Sequence, residues 1–396
     1  MIYLIVIVLL LFLSFRYDIN GKTKGRDEWY LAILIIFILI AGLRWRLGVD
    51  TPNYINSFYH RYPALEEFSF EDYPIGKDPF YVLINSIVIS MGGRFYMVQI
   101  IQAAFVNTLI FKYVRKHSRY IFTSVFFYFL ITYFNYNMEI MRGSMSIVIC
   151  LFANDYVLEK KWVKGYLLYI IALFFHAQTV VLFLLPALFF MRMNKLGVAM
   201  LIGAYVAGYI LQVGLGDYFE LLDMDDAIAD KAEGYANSDK YGGQAGNLNF
   251  KILKIFPFMF CGILSLLYLK HFYPNRPLLR LEPFIMICII FSIIQLNLQI
   301  AYRYVDYYLI YIALFGAETF VSLIRQCRMS KSVAYVRAFV LFLPFFFLVT
   351  YYRFYVQGRD RYFPYTSVVE RTVIEKREMV YHSGRSPRPN ANRNEY

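Results

Sequence analysis

The feature that most limits what this chain can become is a succession of apolar runs, each near the length of a membrane crossing, separated by short basic loops. A helix needs roughly 20 residues to cross the hydrocarbon core of a bilayer. On that scale the sequence predicts spans at 2–15, 29–43, 96–113, 121–137, 139–158, 165–175 with 178–191, 196–214, 250–270, 283–301, 304–324 and 336–353. The chain is 59% hydrophobic and 17% charged, whereas soluble domains run near 45–50% and about 25%. The expected fold is therefore all-α: a polytopic integral membrane protein with about 11–13 transmembrane or re-entrant helices. One membrane domain covers 1–353, and a tail covers 354–396, whose end is rich in Ser, Pro, Asn and Arg and reads as disordered.

Lysine and arginine set the orientation. Arg16, Lys22, Lys24 and Arg26 fill one loop, Lys112, Arg115, Lys116 and Arg119 a second, and Lys160, Lys161 and Lys164 a third. Arg192 with Lys195, then Lys270 with Arg276 and Arg280, then Arg325 with Arg328, Lys331 and Arg337 mark three more. All six are expected in the cytoplasm. The loops 44–79 and 214–249 are rich in acid and are expected outside. The net charge of +12 then reports basic membrane-facing loops rather than affinity for nucleic acid. The nine basic and five acidic residues from Arg353 to Tyr396 sit against this trend, since the last span delivers the tail outside. The first run, from Ile2 to Phe15, lacks a basic start and a small-x-small cleavage site, so a retained span is expected.

Each span flips the side, which tests the scheme twice. Phe80 to Met91 is too short to cross, so it is expected to be a re-entrant or interfacial helix, with Pro79 at its first position and Asp78 as its cap. Gly165 to Met191 lies between two basic loops and is too short for two full spans, so a hairpin broken near His176 is expected.

No GxxxxGK[ST], HExxH or GxSxG occurs, and the four cysteines Cys150, Cys261, Cys288 and Cys327 have no CxxC spacing. Neither a metal site, a disulfide framework nor a cofactor is expected. The residues that stand out are polar groups at the outer face. Arg44, Trp45, Arg46, Leu47, Gly48, Val49 and Asp50 follow an apolar span directly. Ionisable groups so near a bilayer face protein or water and mark a functional site, or, for the arginines, anchor a helix end at the headgroups. Topology adds Tyr54, Asp78, Arg142, His176 and Arg303 to the same face. His176 among Phe and Leu reads as a satisfied core group or, at a helix break, as a reactive one. Several arginines at one bilayer face suit a lipid-linked diphosphate, because guanidinium binds phosphate oxygens in pairs.

The element Arg44-x-x-x-Gly48-x-Asp50-x-x-x-Tyr54 resembles the opening motif of the EpsG/Wzy-type polysaccharide polymerases. Asp78-Pro79-Phe80, Met141-Arg142-Gly143, Phe175-His176-Ala177, Arg303 with Tyr307, and Pro364-Tyr365 follow in that family's order, so the likeness covers Leu43 to Tyr365. The sequence departs from the pattern at Thr51-Pro52, at Asp78 where glutamate is commoner, and at Ala177-Gln178 where a small hydroxyl residue is usual. The resemblance implies a membrane glycosyltransferase of the bacterial inner membrane, joining oligosaccharide repeat units carried on undecaprenyl diphosphate. Both donor and acceptor would be lipid-linked, and a chain-length regulator is a candidate partner. On that reading Arg142 and Arg303 hold the diphosphate, Arg44 and Arg46 form a second clamp, and Tyr54, Tyr307 and Asp78 meet the sugars. His176 or Asp50 is the general base; histidine titrates near neutrality, whereas an aspartate would need its pKa raised. The acidic loop at 214–249 covers the site or is simply solvated. A lipid-linked oligosaccharide flippase, an O-antigen ligase and a non-catalytic membrane scaffold are the alternatives.

Overall fold

The computed structural model describes residues 2–221, 248–298, 301–330 and 361–370. The span expected at 336–353, most of the acidic loop at 214–249 and the end of the tail lie outside the described residues. The protein is an all-α polytopic membrane protein. In chain order the helices are α1 (Ile2–Leu13), α2 (Arg26–Gly42), α3 (Thr51–His60), α4 (Pro79–Ser90), α5 (Phe95–His117), α6 (Ile121–Tyr128), α7 (Met141–Leu158) and α8 (Trp162–Phe175). They continue with α9 (Lys195–Leu221), α10 (Leu248–Phe272), α11 (Glu282–Asn297), α12 (Tyr302–Asp306) and α13 (Leu309–Ser330). Among the described residues, four helical stretches are long and apolar enough to cross a bilayer unaided: Ile2–Ile19, Phe95–His117, Pro277–Asn297 and Leu309–Cys327.

The centre of the molecule is α6, which runs on through two π-helical segments, Phe129–Tyr133 and Asn135–Glu139. Apart from the half-buried Asn135, every residue from Ile121 to Glu139 is buried, so neighbouring helices and not lipid surround it. The wider turns leave carbonyls that side chains satisfy: Asn137 donates to the Tyr133 carbonyl at 2.9 Å, and Gln102 of α5 donates to that of Tyr136 at 3.0 Å. Asn107 of α5 donates to Asn137 at 2.7 Å and accepts from the Tyr128 hydroxyl at 2.9 Å. Such bonds between helices act as polar glue where no water competes. Helices α7 and α8 approach closely at Gly165, where a Cβ would lie 2.5 Å from Val157.

Among the described residues, parts of all six basic loops meet at one end of the bundle. Arg115 pairs with Asp27 at 2.6 Å, His117 with Asp155 at 2.6 Å, and Lys116 with Glu159 at 3.8 Å. Arg280 reaches His117 at 3.3 Å, Arg325 donates to the Asp18 carbonyl, and Glu282 takes Lys270 at 2.8 Å and Arg192 at 3.8 Å. The loop between α3 and α4 lies at the other end. There α8 stops at Phe175, His176 is extended, and two 3₁₀ segments, Ala177–Phe183 and Leu185–Leu188, follow. The Tyr166 hydroxyl donates to the Phe183 carbonyl at 3.2 Å, so this segment folds back along α8 as a broken hairpin. Helix α4 is a 12-residue element packed on α5 and α8.

Candidate functional site

The turn from α2 into α3 is fixed by two distant pieces of chain. Trp45 N–H donates to the Thr366 carbonyl at 2.8 Å, the Thr366 hydroxyl donates to the Trp45 carbonyl at 2.6 Å, and Val368 N–H donates to that of Leu43 at 2.8 Å. Gly48 then takes φ +97° so close to the turn at Met138 that a Cβ would fall 2.0 Å from its carbonyl oxygen. No side chain fits there, which accounts for the glycine. Val49 N–H donates to the buried Glu139 carboxylate at 2.9 Å, and the Tyr362 hydroxyl donates to the same carboxylate at 2.8 Å. Pro52 lies in the first turn of α3, where its fixed φ suits the helix. Helical spacing brings Asp50, Asn53, Tyr54, Ser57 and Arg61 onto one face, and that face lines a cleft of about 660 Å³. Tyr62, Tyr73, Gly76, Lys77 and Arg142 complete it.

Arg142, in the first turn of α7, is the cleft residue tied to deeper chemistry. One guanidinium nitrogen donates to Asp78 Oδ2 at 2.6 Å, and the group lies 5.7 Å from the Tyr54 ring centroid. Asp78 Oδ1 accepts the Ala177 N–H at 3.0 Å and stands 3.5 Å from His176 Nδ1. Asp78 therefore does not cap α4 with its side chain as the sequence suggested. It occupies the cap position with φ 55°, in the left-handed region that aspartate tolerates, and its carboxylate turns towards α7 and the break after α8. Pro79 does open α4.

His176 is held from several sides. Its Nε2 lies 3.1 Å from the Gln178 amide oxygen, and a Cβ on Gly143 would stand 3.5 Å from its Cδ2, so the ring lies against the start of α7. Below it, Thr179 N–H donates to the His176 carbonyl at 3.0 Å, and the Thr179 hydroxyl bonds Ser146 at 2.5 Å and Tyr307 at 3.2 Å. The ring is 21% exposed, open enough for a substrate group to reach it. Burial pushes the Tyr54 hydroxyl up to about 12, with Arg142 opposing the shift, so it stays protonated and is no base near neutral pH.

The sequence-derived candidates divide accordingly. Asp78, Arg142, His176 and Tyr54 come together; of these Arg142 and Tyr54 line the cleft, on which Asp50 stands exposed, and Asp78 and His176 lie behind Arg142. Tyr307 touches the support of His176 but is itself buried, so no sugar face reaches it. Arg303 lies one turn before it and over the Tyr302 ring at 5.9 Å. Arg46 stacks on Trp45 at 5.1 Å. Arg44 is fully buried away from the cleft, because its guanidinium turns back to donate to the Ala41 carbonyl near the C-terminus of α2. A cation there satisfies backbone carbonyls and the negative end of the helix dipole. Arg61, Lys77, Tyr62 and Tyr73 stood out in no motif, and only their place in the cleft reveals them.

A profile of the EpsG family matches residues 28–367. The chain belongs to the EpsG family. Membership makes it a membrane protein of the polysaccharide-polymerase type. Searches of curated proteins and of solved structures find no match. In this EpsG-family protein the matched segment takes in every residue of the cleft, and it closes on the segment that pins Trp45.

Proposed function

We propose that this EpsG-family protein polymerises oligosaccharide repeat units carried on undecaprenyl diphosphate, at the extracytoplasmic face of the bacterial inner membrane. The observation that carries the reading is the Asp78 carboxylate, which holds Arg142 at 2.6 Å and faces His176 at 3.5 Å. That arrangement provides two groups a glycosyl transfer needs, a cation for the departing diphosphate and a base for the acceptor hydroxyl. The acceptor oxygen forms the new bond to the anomeric carbon as the bond from that carbon to the diphosphate oxygen breaks. The proton passes to Nε2 of His176 once that nitrogen exchanges its contact with Gln178 for the acceptor hydroxyl, while Nδ1 faces Asp78, and the charge left on the diphosphate is met by Arg142. A preoriented guanidinium stabilises such charge without reorganising during the reaction. His176 is the stronger candidate for the base because a buried neighbour orients it, whereas Asp50 is exposed on the cleft rim. Arg303 supports the diphosphate from the short helix beside Tyr307.

The cleft is lined from the end of the bundle opposite the basic loops, which favours a one-sided enzyme over a flippase. The test is complementation of a strain lacking the protein. His176→Ala and Arg142→Ala, each stably inserted, are expected to leave single repeat units on the lipid and no long chains. Long chains from either variant would refute the assignment of that residue.

A further inference from the structure

Between residues 61 and 77 the chain carries two cations, Arg61 and Lys77, and four acids, Glu66, Glu67, Glu71 and Asp72. Both cations line the cleft and none of the four acids does. A solvated acidic loop with no ligand to serve has no reason to sort its charges this way. Within the cleft, Arg142 pairs with Asp78 at 2.6 Å and is the cation that the polymerase reading gives to the diphosphate. That leaves Arg61 and Lys77 against one lining carboxylate, Asp50. Among the described residues the Arg61 guanidinium makes no ion pair, and Lys77 donates to the Asp72 carbonyl at 3.0 Å. Tyr73 ties the two together: its hydroxyl donates to the Arg61 carbonyl at 3.2 Å, and the Lys77 ammonium lies 6.0 Å from its ring centroid. Beside them, Asn53 and Ser57 offer an amide and a hydroxyl, and Tyr62 and Tyr73 offer half-exposed rings.

We propose that Arg61 and Lys77 form a subsite for the carboxylate of an acidic sugar in the repeat unit. The proposal rests on the polymerase reading and names the substrate class within it. A planar guanidinium takes a carboxylate through two parallel hydrogen bonds, an ammonium adds a point charge, and tyrosine faces suit the apolar side of a pyranose. A diphosphate would present the same anionic chemistry, so the experiment must separate the two.

The probe is the lipid-linked repeat unit extracted from cells lacking the protein, used intact or after reduction of its sugar carboxyl to a hydroxymethyl group, which spares the diphosphate. With the full-length protein in membranes, the reduced unit is expected to need about tenfold more for half-maximal polymerisation, the loss of one good charged contact. Arg61→Gln and Lys77→Gln, both on exposed positions, are expected to raise the requirement for the intact unit by a similar factor and to abolish the preference over the reduced one. A repeat unit without an acidic sugar, or equal use of both forms by the unaltered protein, overturns the proposal. Variants that weaken both forms equally assign the cations to the diphosphate and overturn it too. No polymer from either form with the unaltered protein refutes the polymerase reading itself, a result distinct from the others.

Discussion

Removing the charge of Asp78 while keeping its shape, as in Asp78→Asn, takes away the acceptor that Arg142 meets at 2.6 Å and the carboxylate that faces His176. Polymer output is expected to fall about 100-fold, the cost of small misplacements at reacting groups. Stability should fall by only about 1–2 kcal/mol, because the guanidinium is 38% exposed and solvent screens it. A chain-length ladder and thermal unfolding in detergent read the two effects separately. Arg44→Gln should behave in the opposite way. It removes a buried donor to the Ala41 carbonyl, at about 1–2 kcal/mol, yet protein that folds should still build long chains. Loss of polymer with unchanged stability would place Arg44 at the substrate after all. Arg142 and His176 were legible in the sequence because a charge at a span end and a histidine at a helix break are costly in a bilayer. The contacts of Asp78 were not legible, since its partners lie 64 and 99 positions away and it meets them from a left-handed backbone.

At the scale of elements, the turn between α2 and α3 admits little change. Gly48→Ala combines a strained φ of +97° with a contact of 2.0 Å to the Met138 carbonyl, and at least about 2 kcal/mol of stability should be lost. A lower unfolding temperature or a lower yield of monodisperse protein would register it, and an unchanged protein would contradict the packing described. The broken hairpin after α8 followed from counting sides against length, and the break falls where that argument required it. The π-helical turns of the central helix could not be read in the same way. Apolar periodicity is nearly blind to one extra residue per turn when every face is buried, as between Ile121 and Glu139. The cleft wall at Arg61 and Lys77 was equally hidden, because it belongs to irregular chain whose course is set by contacts such as that of Tyr73 with Arg61.

For the whole molecule, the gathering of basic loops at one end makes sidedness measurable with the protein's own chemistry. Cys150, Cys261 and Cys288 are buried, and Cys327 lies half-buried at the basic end. An impermeant thiol reagent on intact cells should therefore leave the natural protein unmarked, and a cysteine introduced at Asn53 should be modified at once. Cys327 should react only after the membrane is opened. Modification in the reverse order would invert the protein and remove the proposed enzyme from its substrate. The backbone pairing of Trp45 with Thr366 has a further meaning for synthesis, because the two residues stand 321 positions apart. Translation must pass residue 366 before the rim of the pocket can close. A ribosome product that stops before residue 361 lacks the partner of Trp45 and the hydroxyl that Glu139 accepts, so unfinished chains in the membrane should be inert. Expression of such a truncated form beside a null background checks this, and any extended glycan from it would show that the rim sets without its late-made clasp.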